Sequence, residues 1–572
     1  MPSFAPARRA VPIALALALA LPSLDLAACS SSSDPSGTQD AAAPPVDPDA
    51  GPPVGGDTAP PPPPPPPPGT SADSKFRPSP NGFSFANSFS RTEPTPGPTM
   101  GAEDVRRMFG NQVCASTASG CALTPAAQQW LEAANKDLYE GLCEGFAILA
   151  NILYVGANGM KPADFQPGAA SAFELKIEGN AKLQREIAFW YTTQTLFDRT
   201  PGLTPAELGA QLLAALGKAP SADLPTLAFF KKDGKGGHAM NAHAITASAA
   251  GFDVKIYDNN YPNEERTLSI DTKKDEWRYV GSTTATGEKD EYVGDAASKS
   301  IHLVPAALRL RTFECKFCGD VQPGAAPAGV RQVRLSGRGH ALVTDPGGKR
   351  IGYSGGALVN EIAGAKVRTL INGTRGRPDP EPSYDLPSGS DLTITVDGSQ
   401  LTAESPTTLT VLGNGYTLDV EDIALGPGQQ DTVIVRAAGN AMVYTTQQAE
   451  TPALVVGIQT AADDYLLEVR VSSDTNGQTV RLELDQAAGK LKVTVDGHDT
   501  ADYDIELVMH RIGARGDEVF EHTGDNSINI ASGGSVSIVY GAWTGNGGAI
   551  SLEVDNDRNG TVDRTISLSD QR

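Results

Sequence analysis

From about Lys75 to Asp320 the apolar positions recur first at helical spacing and then at alternate residues, which predicts helices followed by strands. Thr124-Pro125 and Thr204-Pro205-Ala206-Glu207 are helix starts, the second with a capping Glu three residues after its Thr. Leu138 to Tyr154 and Arg185 to Arg199 read as helices, the first apolar on most faces as a buried helix is. Thr226 to Lys231, His238 to Ala247 and Phe252 to Tyr257 follow as strands, interrupted at Gly236-Gly237 and Ala250-Gly251. Helices first and an antiparallel sheet second make an α+β domain, placed at residues 75–320.

After about Val321 almost every periodic segment alternates. Leu392 to Val396, Thr408 to Leu412, Tyr416 to Val420, Thr432 to Val435, Leu466 to Val471, Val480 to Leu484, Leu491 to Val495, Ile505 to Val508, Val536 to Tyr540 and Ile550 to Val554 are short strands separated by Gly, Asp and Asn. This spacing predicts all-β, sandwich-like modules. A break in the Gln-Ala-Glu-Thr-Pro stretch divides them into a β-rich module at 321–447 and a C-terminal module at 448–572. The chain is therefore expected to be multidomain.

The N-terminal pattern differs from both. Arg8 and Arg9 precede an apolar run from Val11 to Leu21 and then Leu26-Ala27-Ala28-Cys29, the three regions of a signal peptide in order. The last four residues resemble the lipobox of bacterial lipoproteins, which implies removal of residues 1–28 and lipid on Cys29. Ser30 resembles the outer-membrane sorting choice, so the expected location is the outer membrane, facing the periplasm or the cell surface. Residues 29–74 are rich in Ser, Asp, Gly, Ala and Pro, with nine prolines from Pro60 to Pro68, and read as a disordered tether. A net charge of −22 argues against nucleic acid, whose phosphates need a basic face. The lipid is the expected membrane contact.

Six cysteines are present, and setting Cys29 aside leaves an odd number. Cys114 with Cys121 and Cys315 with Cys318 are disulfide candidates, although four cysteines allow three connectivities and the same thiolates are a rival zinc set. Cys143 is then the unpaired thiol, lying in Glu140-Gly141-Leu142-Cys143-Glu144-Gly145-Phe146-Ala147 at the first turn of an apolar helix. There the helix dipole and free N–H groups favour a thiolate; the alternative is a buried core cysteine. Downstream, Gly236-Gly237-His238-Ala239-Met240-Asn241-Ala242-His243 opens a strand, and Tyr257-Asp258-Asn259-Asn260-Tyr261-Pro262 closes the next. An imidazole and a carboxylate on one hairpin can lie side by side, the acid orienting the base that deprotonates a thiol.

These three motifs, with Glu276-Trp277-Arg278-Tyr279 after the strands, resemble a bacterial branch of the papain-like cysteine peptidase superfamily over about residues 130–280. The resemblance implies a papain-like fold with Cys143 as nucleophile, His238 as base and then acid, and Asp258 as the orienting residue. His243 is the alternative base, because a hairpin centred near Ala250-Gly251 sets it opposite Asp258. The family's oxyanion glutamine falls on Asp137, a poor donor, and Asn135, Gln184, Gln194 and the Cys143 N–H are substitutes.

Other chemistry is sparse. His340, in Gly339-His340-Ala341, reads as a strand histidine, and His302, His498, His510 and His522 as surface or turn residues. Asp555, Asp557, Asn559, Thr561 and Asp563, with Gly560 at the sixth position, have the alternation of a calcium loop; the alternative is an Asx-rich turn. The expectation is a lipid-anchored extracytoplasmic thiol hydrolase acting on protein or peptide, with no cofactor for catalysis and a candidate structural calcium. The β modules are candidates for binding a glycan or a surface partner. The alternatives are an inactive surface lipoprotein and a transglutaminase-like amide transferase.

Overall fold

The computed structural model describes residues 67–87, 99–138, 141–221, 223–234, 236–281, 290–320, 329–371, 381–471, 476–497, 505–513, 516–523 and 533–572. The expected signal peptide, Cys29, most of the tether and His498 lie outside these. Among the described residues no helix is long and apolar enough to cross a membrane. Strand predominates over helix, in several sheets.

The helices are α1 (Pro78–Asn81), α2 (Ala102–Phe109), α3 (Pro125–Asp137), α4 (Cys143–Val155), α5 (Ala181–Thr192) and α6 (Pro205–Leu216). The first ten strands are β1 (Ser71–Asp73), β2 (Cys114–Ser116), β3 (Ala122–Leu123), β4 (Thr226–Phe229), β5 (His238–Ala247), β6 (Gly251–Tyr257), β7 (Glu265–Asp271), β8 (Glu276–Gly281), β9 (Asp290–Asp295) and β10 (Ile301–Val304). Both predicted helix starts are present: Thr124 accepts from the Ala127 N–H and Thr204 from the Glu207 N–H. The helix expected from Leu138 begins instead at Cys143, because α3 ends near Leu138 and Gly141 turns the chain at φ +122°. The next helix begins at Ala181, before the expected Arg185, and gives way after Thr192 to a tighter turn at Thr193–Thr195.

β4 to β10 form an antiparallel sheet in the order β10-β4-β5-β6-β7-β8-β9, with β1 added against β5. The expected tether thus gives way before residue 74. Alternation along β4 and β5 gives the sheet two apolar faces. Ala228, Ala239 and Tyr257 share a core with α4 and α5, whereas Leu227, Phe229, Met240 and Ile256 pack with Leu208, Leu212 and Leu216 of α6.

Beyond residue 329 two antiparallel sheets, of nine and eleven strands, enclose one core running from Val333 to Leu568. All ten strands expected from alternation are present. The predicted break at 447 is not a break between cores, because successive hairpins alternate between the sheets. Ser405–Gly413 with Tyr416–Leu425 lies in the first sheet, Gln430–Val435 with Ala441–Thr445 in the second, and Ala453–Ile458 with Asp464–Val471 in the first again. Tyr416–Leu425 pairs with Ala453–Ile458, and Ala441–Thr445 with Thr479–Asp485, so both sheets run through that stretch. α3 packs on the first of these sheets. There Trp130 stacks on Phe317 at 5.9 Å, in the core that also holds Leu412.

Cys114–Cys121 and Cys315–Cys318 are disulfides, with Cα separations of 5.2 and 5.5 Å, and Cys143 is free and buried.

Candidate active site

Cys143 is the first residue of α4, and Leu142 at the cap position makes no side-chain hydrogen bond to the helix. The first-turn N–H groups and the positive end of the helix dipole are thus directed at the thiol's end of α4. The flanking glycines have separate jobs. Gly141 takes the left-handed turn that frees the helix start, and a Cβ on Gly145 would fall 2.2 Å from the Ile187 carbonyl of α5. Any side chain at 145 would push α4 off α5. Glu144 and Arg309, both buried, form an ion pair that clamps the same helix turn, and Arg309 also donates to Thr193 Oγ1 at 2.9 Å.

His238 opens β5 and Asp258 follows β6, at the open end of one hairpin. His238 Nε2 and Asp258 Oδ1 are 2.8 Å apart, and both side chains are fully buried. Asp258 takes two further donors, the Tyr279 hydroxyl on its other oxygen and the Asn260 N–H at 2.8 Å. Burial would push the imidazole pKa down, but the Asp258 carboxylate, and after it the adjacent Cys143 side chain, outweigh burial and hold His238 up at about 10. Burial likewise opposes the Asp258 charge, and the His238, Tyr279 and Asn260 contacts overcome it, so Asp258 stays below the ordinary carboxylate value. With Nε2 committed to Asp258, Nδ1 is the ring nitrogen left for the thiol.

His243 does not reach Asp258. The β5–β6 register runs Asn241↔Tyr257, Ala242↔Ile256, then Ala244↔Lys255, so His243 lies in a bulge several residues from the position that faces Asp258. Its Nε2 is 3.5 Å from Glu265, and burial drives its pKa down to about 4. The sequence expectation centred the hairpin near Ala250-Gly251, but the ladder from the turn runs Ala247↔Phe252 to Ala244↔Lys255, which already carries His243 past Asp258 before the bulge adds its own shift.

Among the oxyanion candidates, Asp137 pairs with Arg334, Asn135 bonds to the Met100 backbone and Gln184 to the Ile177 carbonyl. Gln194 is the one joined to the thiol, and only through Ile371: its Nε2 donates to the Tyr191 carbonyl at 3.0 Å, its Oε1 accepts the Ile371 N–H at 2.6 Å, and the Ile371 carbonyl is 3.7 Å from Cys143 Sγ.

Asn259 was not singled out in the sequence. Its buried Nδ2 donates to the Cys143 carbonyl at 3.0 Å and to the Ala239 carbonyl at 2.8 Å, stitching the thiol's helix to the histidine's strand. Asn241 Nδ2 repeats the stitch one helix turn on, to the Ala147 carbonyl at 2.8 Å. The arm before α2 joins in through Asn87, which accepts from the Leu142 N–H at 3.2 Å. All three asparagines are buried, and each spends its amide on holding the start of α4 in place beside the histidine's strand or the arm.

The remaining motifs fall elsewhere. His340 bonds to Glu381 at 2.7 Å in the sandwich. His302, His510 and His522 lie in strands, not in turns, and His522 is buried. Asp555, Asp557 and Asp563 come within 4.8 Å of one another. Asp555 already accepts from the Asn559 and Gly560 N–H groups, Asp563 from Asn556 and Asn559 from Thr561, so the loop satisfies these side chains with its own backbone.

Compared with models of known families, with curated proteins and with solved structures, the chain matches none.

Proposed function

We propose that the chain is a lipid-anchored extracytoplasmic thiol hydrolase, a cysteine peptidase of papain-like type. The observation that carries this reading is the buried His238–Asp258 pair beside Cys143, a base kept charged by its acid next to the unpaired thiol. The sulfur attacks a peptide carbonyl carbon while its proton rests on His238, and a C–S bond forms. His238 gives that proton to the leaving amine as the C–N bond breaks, leaving a thioester. Water then adds with His238 taking its proton, the C–S bond breaks, and the acid product leaves the thiol restored. The Cys143 N–H is the group offered to the oxyanion in this reading, since the Gln194 amide is spent on the Tyr191 carbonyl and the Ile371 N–H. No cofactor enters this sequence. Cys29, outside the described residues, supplies the anchor in this reading, and the sandwich supplies a surface for a partner or glycan.

The Ile371 carbonyl at the thiol belongs to a stretch fastened by Arg199, which donates to the Thr369 carbonyl at 2.9 Å, and by Asp198, which pairs with Lys366 and Arg368. The test therefore uses a chain in which Asp198 and Arg199 are both alanine. An epoxysuccinyl peptide should label Cys143 in it faster than it labels free cysteine, and fluorogenic peptides should be hydrolysed. Adding Cys143→Ala or His238→Ala should abolish both. Labelling no faster than free cysteine sinks the reading, and transfer of the acyl group to an added amine in preference to water would make the protein a transferase.

A further inference from the structure

Ile371 lies far along the chain from the triad, just past the strand Lys366–Arg368 at the edge of the nine-stranded sheet. It is fully buried, with its carbonyl at Cys143 Sγ and its N–H held by Gln194. Two residues back, the Thr369 carbonyl accepts from Arg199 at 2.9 Å. Arg368 donates to the Phe197 carbonyl at 3.0 Å and to Asp198 at 2.6 Å, and Lys366 pairs with Asp198 at 2.6 Å. These fastenings all reach one short stretch, Gln194 to Arg199, that follows α5. The thiol donates to the Ile371 carbonyl oxygen and the same residue's N–H is held by a side-chain amide, so the backbone of this segment fills the space in front of the sulfur.

A cavity of about 530 Å³ adjoins this segment. Phe230, Gly236 and Gly237, which lead into His238, line one side, and Tyr353, Leu370 and Pro382 line the other. Leu370 is therefore a wall of the space next to the base, and Ile371 is the cover on the nucleophile.

We propose that Thr369–Ile371 is a chain-borne occupant of the Cys143 site: it holds the thiol shut, and its Leu-Ile side chains mark the place of an extended peptide with aliphatic residues. What the opened site accepts rests on the hydrolase reading; that the segment covers the thiol does not. The fastening has a weak end. The Asp198 side chain is 63 % exposed, so its pairs with Lys366 and Arg368 are screened by salt, whereas Gln194 and Ile371 are buried.

The test measures alkylation of Cys143 by iodoacetamide in the folded full chain, read by mass spectrometry on the Cys143 peptide. The Asp198→Ala/Arg199→Ala chain should react about tenfold faster than the intact one, having lost several hydrogen bonds that hold the segment closed. Raising salt to about 0.5 M should speed the unmutated chain about twofold, an arm that needs no variant to fold. The acetylated hexapeptide Lys-Val-Arg-Thr-Leu-Ile should slow alkylation of the loosened chain, and the same peptide ending in Asp should not. Equal alkylation rates in the intact and loosened chains, together with no effect of salt, would overturn the proposal. Faster alkylation without His238-dependent hydrolysis keeps the cover and discards the hydrolase.

Discussion

The strand β5 buries two histidines, one at its start and one at its middle, and treats them in opposite ways. At the open end His238 is held charged, its pKa raised to about 10, while His243 in the bulge is held neutral, its pKa lowered to about 4. Burial pushes both downward, so burial cannot be the difference. The difference is the carboxylate: Asp258 is itself fully buried, 2.8 Å away and anchored by Tyr279 and Asn260, whereas Glu265 is 43 % exposed and 3.5 Å away. A counter-charge in water is screened, and one in the interior is not. A buried histidine is thus held charged here only where its counter-charge is buried with it.

The largest effect tests the charged histidine. In the Asp198→Ala/Arg199→Ala background, His238→Ala should lower peptide hydrolysis about 10²- to 10⁴-fold, and His243→Phe should leave it within about twofold. Equal losses at the two positions would erase the comparison.

Next comes the acid. Activity that needs the charged ring is lost as pH rises through the His238 pKa, so the basic limb of the rate profile should stand near pH 10. Asp258→Asn removes the strongest influence raising that pKa and leaves burial as the largest one, so the limb should fall to or below the ordinary histidine value of about 6.5. At about pH 8 this amounts to a loss of at least about thirtyfold. A limb that stays near 10 in the variant would mean that some other group holds the charge.

Much of this contrast was legible in the sequence, and the unread part has a geometric cause. Gly141, Cys143 and Gly145 are local to one helix start, and each disulfide closes a short loop, so neighbouring residues report them. The choice between His238 and His243 turned on the register of the hairpin, which is set by where the turn falls and then shifted once more by a bulge, and neither leaves a composition signal. Gln194 stood among several oxyanion candidates because only packing brings its side chain to Ile371. Ile371 itself was unreadable, since its contact with Cys143 spans 228 residues and is made by backbone. The expected break near 447 failed for a related reason: a stretch that looks like a linker is also how one hairpin hands over to the opposite sheet.

The neutral histidine makes a stability prediction. His243 binds a proton more readily when unfolded, at about 6.5, than when folded, at about 4. Its contribution is fully present above about pH 6.5 and is lost as pH falls from there through about 4. Relative to His243→Phe, the unmutated chain should lose at most about 3 kcal/mol over that window, measured by urea unfolding at several pH values. Parallel curves for the two chains would show that His243 is not held neutral.

The smallest effect separates the two carboxylates. Glu265 raises the His243 pKa only against the larger push of burial, and it also pairs with Lys255 at 3.1 Å at the surface. Glu265→Gln should deepen the acid loss slightly, by about 0.5 kcal/mol or less at low salt, and salt should abolish that increment. The sign follows from removing an anion: the His243 pKa falls further, so each step of acidification charges the unfolded chain more selectively than before. An increment as large as the His243→Phe difference would mean that the exposed glutamate acts on its histidine as strongly as buried Asp258 acts on His238. The charge state of the two rings would then depend on the distance to a carboxylate and not on whether that carboxylate is out of water.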